Sequence, residues 1–219
     1  MSSINGKSRR GFTLIEVLVT VAIVAIVALI AAPSMKNFIQ MQRLKSVGSE
    51  LMADVQFARS EAVARGRVVG LRFKLLSSTD TTMSCYVIAT RATGGCVGIP
   101  TLDSCDCARG PGRACDASAA ISSTWTELKT VVGPTALGVQ TSPTEPFASP
   151  ISFDPRSGGL IYSSCNGVGT PPTPYEVDIT GDIAGKLRTS ITPTGRPSAC
   201  SCGGTVPGYP ACAVTPGCP

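Results

Sequence analysis

The sequence predicts an α+β protein in which one long N-terminal helix packs against an antiparallel sheet, and three observations predict it. An apolar run from Phe12 to Ala32 carries Glu16 as its only charge. Helical periodicity then continues, with Phe38, Met41, Leu44, Val47, Leu51, Val55, Ala58 and Ala62 recurring at spacings of three and four. Beyond Gly66, short segments rich in alternating apolar residues are separated by Gly, Pro and Ser clusters, the pattern of strands and turns. The 219 residues suffice for one moderate domain with an appendage. There is no histidine, which excludes Ser-His-Asp and Cys-His catalytic pairs and His-ligated metal or haem.

The N-terminus carries Lys7, Arg9 and Arg10 and passes at once into the apolar run. Val17 to Met35 is free of charge, close to the roughly 20 residues a membrane-spanning helix needs. The run is too long for the apolar region of an ordinary cleaved signal, and Pro33 is a poor start for a mature chain, so the segment is read as retained. Cations also follow it at Lys36, Arg43 and Lys45, and counting them does not orient it. The ten cysteines do: all lie beyond residue 80 and require an oxidising compartment, which leaves the N-terminus cytoplasmic. A carboxylate in a membrane helix costs about 2.5–3.5 kcal/mol, so Glu16 either stays hydrated near the headgroups or meets a cation. Cleavage between Gly11 and Phe12 would create such a cation, an α-amino group four residues away, or about 6 Å along a helix. Between subunits staggered by one turn, that pair closes well.

The run Arg10-Gly11-Phe12-Thr13-Leu14-Ile15-Glu16-Val17 resembles the leader and N-terminus of type IV pilins and of type II secretion pseudopilins. The resemblance implies that a prepilin peptidase cuts after Gly11 and that Phe12 is then N-methylated. It also places the class's assembly Glu at Glu16 and its helix Pro at Pro33. The segment Leu51–Gly66 followed by Arg67-Val68-Val69 is similar to the FimT/GspH group, which holds minor pilins of type IV pili and the H-type minor pseudopilin of type II secretion. Ile151-Ser152-Phe153-Asp154-Pro155-Arg156-Ser157-Gly158-Gly159 and Ile191-Thr192-Pro193-Thr194-Gly195-Arg196 resemble strand-and-turn pieces of the same group's head. The implied architecture is the type IV pilin fold: a leader at 1–11, a transmembrane or filament-core half-helix at 12–32, an amphipathic half at 33–66, a β-rich periplasmic head at 67–199, and a Cys/Pro/Gly-rich tail at 200–219. The implied partners are other major and minor pilins or pseudopilins, the prepilin peptidase and an inner-membrane assembly platform.

The helix is expected over Phe12–Arg65, with Lys36, Arg43, Glu50, Asp54 and Glu61 on its polar side and a kink or local melting at Pro33. Residues 67–76 alternate as a half-buried strand, Val69, Leu71, Phe73 and Leu75 on one face and Gly70, Arg72 and Lys74 on the other. Further strands are expected at Cys85–Thr90, Ser123–Val132, Ile151–Asp154, Leu160–Ser163, Tyr175–Ile179 and Leu187–Ile191, with loops at 141–150 and 164–174. Cys85, Cys96, Cys105, Cys107, Cys115, Cys165, Cys200, Cys202, Cys212 and Cys218 fall in Gly/Pro-rich stretches and are read as disulfide-forming. The Cys105-Asp106-Cys107 and Cys200-Ser201-Cys202 pairs are the alternative, a four-thiolate metal site, against which their one-residue spacing counts. Pairing cannot be read from sequence.

The formal charge of +5 is largely leader: loss of residues 1–11 leaves 16 Lys and Arg against 14 Asp and Glu. Some FimT-like pilins bind DNA through a C-terminal Gly-Arg-x-Arg loop. The matching stretch here, Gly195-Arg196-Pro197-Ser198, lacks the second Arg, and no aromatic residues interleave the cations of residues 36–74. The functional expectation is a non-enzymatic minor subunit of a type IV filament machine without cofactor or metal, single-pass in the bacterial inner membrane. DNA binding at Arg196 is the alternative. A periplasmic enzyme would need a nucleophile–base constellation or a metal motif, and neither stands out.

Overall fold

The computed structural model describes residues 12–74, 83–91, 105–115, 125–134, 138–144, 151–164, 167–169, 174–183, 185–213 and 218. It forms two compact units, Met1–Ile39 and Gln40–Pro219. Gly11, Cys96 and Cys165 lie outside the described residues, as do the side chain of Pro33, the strand ends at 75–76 and 123–124, and residues 145–150, 165–166 and 170–173 of the expected loops.

In the first unit, helix α1 (Leu14–Arg65) begins. Its backbone stays helical through Pro33, without the local melting that a missing amide permits. Every large apolar residue from Phe12 to Ile30 is exposed, Phe12 at 82% and Ile30 at 73%. Among the described residues, no single helix is long and apolar enough to cross a membrane, whereas Leu14–Ile30 and Met35–Arg65 together meet the requirement of length and composition. Leu14–Ile30 alone rises about 25 Å, short of the roughly 30 Å hydrocarbon core.

In the second unit, the rest of α1 is amphipathic. Leu44, Leu51, Val55, Ala58 and Ala62 are fully buried, and Met41 and Val47 partly so. Asp54 departs from expectation: it is buried on the sheet side, not solvated on the polar side. Gly48 lets the helix approach closely, since a Cβ there would stand 3.2 Å from Leu187 Cδ1 and 3.7 Å from Ile179 Cδ1.

Two antiparallel sheets, rather than one, receive this stripe. The first contains β1 (Val69–Phe73), β2 (Met83–Arg91), β3 (Trp125–Pro134), β5 (Ile151–Phe153), β6 (Leu160–Ser164) and β7 (Gly167–Gly169) in the order β3-β2-β1-β5-β6-β7. The second contains β4 (Val139–Pro143), β8 (Tyr175–Gly181), β9 (Gly185–Ile191) and β10 (Pro197–Cys202) in the order β10-β9-β8-β4. Their inner faces share one core with α1, in which Leu71, Ile88, Phe153, Val177, Ile179, Leu187 and Ile191 meet the helix stripe.

β4 runs into the stretch expected as a loop from 141, and β10 runs into the stretch expected as a tail from 200. Both are edge strands, where a proline is tolerated because one side of the backbone needs no ladder bond. β4 buries Val139 and Thr141 and places Pro143 at its end. β10 begins at Pro197 and runs through Cys202, so the sheet continues across the boundary expected at 199/200. β1 is also not half-buried: Gly70 is covered as well, because a second apolar cluster lies on the outer face of this sheet. There Cys85, Val87, Ala89, Trp125, Cys105, Cys107, Ala114 and Cys115 pack together, and Arg72 Nη1 donates to the Cys105 carbonyl at 3.0 Å.

Candidate functional site

Four constellations bear the chemistry. The first is the start of α1. Thr13 caps the helix: its Oγ1 and its carbonyl both accept from the Glu16 amide, at 3.3 and 3.1 Å. Thr13-x-x-Glu16 is thus the sequence pattern of a capping box, in which a Ser or Thr satisfies an otherwise orphaned helix amide. It also places Glu16 in the first turn, where a carboxylate complements the helix dipole. The Thr-x-x-Glu spacing is the sequence signal for this cap, one that the expectation of a cationic partner for Glu16 did not include.

The second is the Asp54 centre. Asp54 Oδ2 accepts from the Tyr86 hydroxyl at 2.7 Å, and Oδ1 pairs with Lys129 Nζ at 2.6 Å. Glu50 stands 3.6 Å from the same ammonium. Tyr86 is held by β2 and stacks, tilted, on Phe73 with ring centroids 5.4 Å apart. Burial, then the Asp54 hydrogen bond, pushes its phenol far above the ordinary value. Burial draws the Lys129 ammonium down, but Asp54 and Glu50 outweigh it and leave its pKa raised. The arrangement ties α1 to β2 and β3 and keeps a buried carboxylate paired, as burial of charge requires.

The third joins the two head motifs. Asp154 follows β5 and accepts from the Ser157 amide and hydroxyl at 2.9 and 2.8 Å. Its burial raises the carboxyl, and these two bonds, with the amide and charge of Arg156, more than reverse the shift, leaving it lowered. The 192–196 turn closes through Gly195 N to Thr192 O at 2.8 Å. Leu160 N donates to Pro193 O at 2.8 Å, and Arg59 Nε donates to Gly158 O at 3.1 Å. Gly195, at φ 77°, allows the crossing, for a Cβ there would collide with the Gly158 carbonyl oxygen. Arg196 is exposed and lines, with Gln56, Arg59, Ser60, Val63 and Pro197, an open groove of about 500 Å3. The fold brings Arg59, one of the cations of residues 36–74, beside Arg196.

The fourth is the cysteine network. Cys85 bonds Cys107, Cys105 bonds Cys115, Cys200 bonds Cys212 and Cys202 bonds Cys218. Each Cys-x-Cys pair therefore sends its two sulfurs to different partners. The sulfurs of Cys202, Cys212 and Cys218 lie within 4.8 Å of one another, but bridging leaves no thiolate to ligate a metal. Glu127 fixes the 105–115 loop: its carboxylate accepts from Gly112 N at 2.7 Å, Ala114 N at 2.9 Å and Thr130 Oγ1 at 2.6 Å. Burial raises this carboxyl, and those donors more than reverse the shift, leaving it lowered.

A further ionic group on β8 and β9 had no sequence signal beyond alternation. Arg188, almost fully buried, donates through Nε to Asp178 at 2.8 Å and pairs with Glu176 at 3.0 Å, while Lys186 pairs with Asp178 at 2.7 Å. Burial raises the Asp178 carboxyl, but Arg188 and Lys186 hold it below its ordinary value.

Comparison with known proteins assigns these features to a family. The model of the family described as type II transport protein GspH matches residues 48–195, more than half of the chain. The chain belongs to the GspH family. Residues 6–32 match a second model, the prokaryotic N-terminal methylation motif. Among solved structures, the chain is similar to the type IV minor pilin FimU of Pseudomonas aeruginosa at 22% identity, covering 74% of this chain and 90% of that one, with a TM-score of 0.43. It is also similar to the minor pseudopilin EpsH from the type 2 secretion system of Vibrio cholerae at 12% identity, covering 72% and 95%, with a TM-score of 0.40. Within this GspH-family chain, Asp54, Tyr86, Lys129, Arg59 and Asp154 lie inside the matched region, Arg196 lies one residue beyond it, and Thr13 and Glu16 lie inside the methylation motif.

Proposed function

We propose that this GspH-family chain is a non-enzymatic minor pilin or pseudopilin that primes assembly of a type IV filament system or sits at its tip. It enters the bacterial inner membrane with a cytoplasmic N-terminus and a periplasmic head. Prepilin peptidase removes residues 1–11 and Phe12 is methylated. An assembly platform then moves the subunit into a filament, where its apolar half-helix packs among those of other major and minor subunits. Glu16 there faces a neighbour's N-terminal amine, and Pro33 adapts the helix to the packing.

The observation that carries this reading is the exposed apolar surface from Phe12 to Ile30, which lies within the matched N-terminal methylation motif. A surface of that extent marks a lipid or protein contact. Mass spectrometry of the mature chain tests it: the expected N-terminus is Phe12 bearing one methyl group, and a chain beginning at Pro33 would overturn it. The DNA-binding alternative rests on Arg196 beside Arg59 in the open groove. It requires salt-dependent duplex binding that is lost in Arg196→Ala, and absence of binding at low salt removes it.

A further inference from the structure

We propose that the two C-terminal bridges form a thiol–disulfide relay, in which opening Cys200–Cys212 transfers the covalent tie of Cys202 from Cys218 to Cys212. Three observations carry it. Cys212 Sγ stands 4.0 Å from Cys202 Sγ, close to contact between sulfurs that are not bonded to each other. The two bridges differ in access: Cys202 and Cys218 are buried, at 6% and 1% exposure, whereas Cys200 and Cys212 are half-buried. Finally, Cys212 does not depend on its own bridge for its place. Its amide donates to Ser201 O at 3.0 Å, Ser201 N donates to Pro210 O at 2.8 Å, and Val206 N donates to Ser201 Oγ at 2.9 Å.

A dithiol reductant therefore meets Cys200–Cys212 first. It delivers two electrons and two protons, closes its own disulfide, and leaves thiols at Cys200 and Cys212. The Cys212 thiolate remains docked beside β10 and attacks Cys202 Sγ. The Cys212–Cys202 bond forms, the Cys202–Cys218 bond breaks, and Cys218 leaves as a thiolate that takes up the proton given up by Cys212. The second step is redox-neutral and intramolecular, so it gains from the high effective concentration of a held nucleophile. Its outcome is a switch at the edge of the four-stranded sheet: β10 keeps a covalent tie, but to a residue 10 positions on instead of 16, and Cys218 is freed. Cys200 is outside the group of three close sulfurs, so the relay runs only through Cys212.

Limited reduction of the full chain with dithiothreitol, acid quenching, alkylation and peptide mapping tests this. The expected product has Cys200 and Cys218 alkylated, a new Cys202–Cys212 bridge, and loss of the Cys202–Cys218 peptide. Alkylation of Cys200 and Cys212 with Cys202–Cys218 intact would overturn it. Two variants sharpen the result without added reductant: Cys200→Ser should show Cys202–Cys212 with a free Cys218, and Cys212→Ser should keep Cys202–Cys218 with a free Cys200. Rearrangement in both would indicate unselective scrambling and would also overturn the relay.

Discussion

Residues 14–30 and 44–62 belong to the same helix and are both rich in apolar residues, yet the first stretch exposes its large side chains and the second buries its stripe. The difference lies in the pattern. In the second stretch, charged and polar residues interleave, so one face is apolar and two sheets of the same chain cover it. In the first, apolar residues surround the axis, and no single packing face within a chain can satisfy them. The head is completed internally, whereas the N-terminal half is left exposed within the chain, and the proposed function completes it with lipid or with other subunits.

Three substitutions and one change of condition probe that contrast. The largest effect is expected from Leu51→Ala, which opens a cavity in the shared core and should destabilise the head by about 2–5 kcal/mol. Denaturant unfolding of the detergent-solubilised chain, followed through its single tryptophan, Trp125, reads this loss. An intermediate effect is expected from acid. The folded-state pKa values of Glu127, Asp154 and Asp178 are lowered, so the stability these carboxylates contribute is present above the ordinary carboxylate range. It is lost as pH falls through their folded-state values. Glu127→Gln should flatten part of that dependence and cost about 1 kcal/mol at neutral pH, a modest figure because the group is partly solvated. The smallest effect is expected from Leu18→Ala, which should change head stability by less than about 0.5 kcal/mol. A loss comparable to that of Leu51→Ala would break the contrast.

Periodic elements were legible in the sequence, because repetition needs no knowledge of partners. The stripe from Leu44 to Ala62 and the strands at 151–153, 175–181 and 185–191 follow from local pattern. Asp54 was assigned to solvent because charge alone argues for it. Its burial depends on Tyr86 and Lys129, 32 and 75 residues away, and no local signal encodes that meeting. β4 and β10 were obscured by Pro143 and Pro197, which edge positions permit. The bridges were foreseeable in kind but not in pairing, since Cys85 reaches Cys107 past Cys105 only through the fold. The Thr13-x-x-Glu16 spacing was a local signal that the sequence reading missed, and the place of Glu16 in the first helical turn stands beside its proposed role between subunits.

That double role sets the most direct measurement: incorporation of Glu16→Gln and Glu16→Ala into sheared filaments, compared with their level in the inner membrane. Glu16→Gln keeps the capping pattern and removes the charge, while Glu16→Ala removes both. Both variants are predicted to insert at the level of the unaltered protein and to be lost from filaments. Incorporation of Glu16→Ala at the unaltered level would contradict the account, because the carboxylate would then have no part in completing the exposed half of the helix.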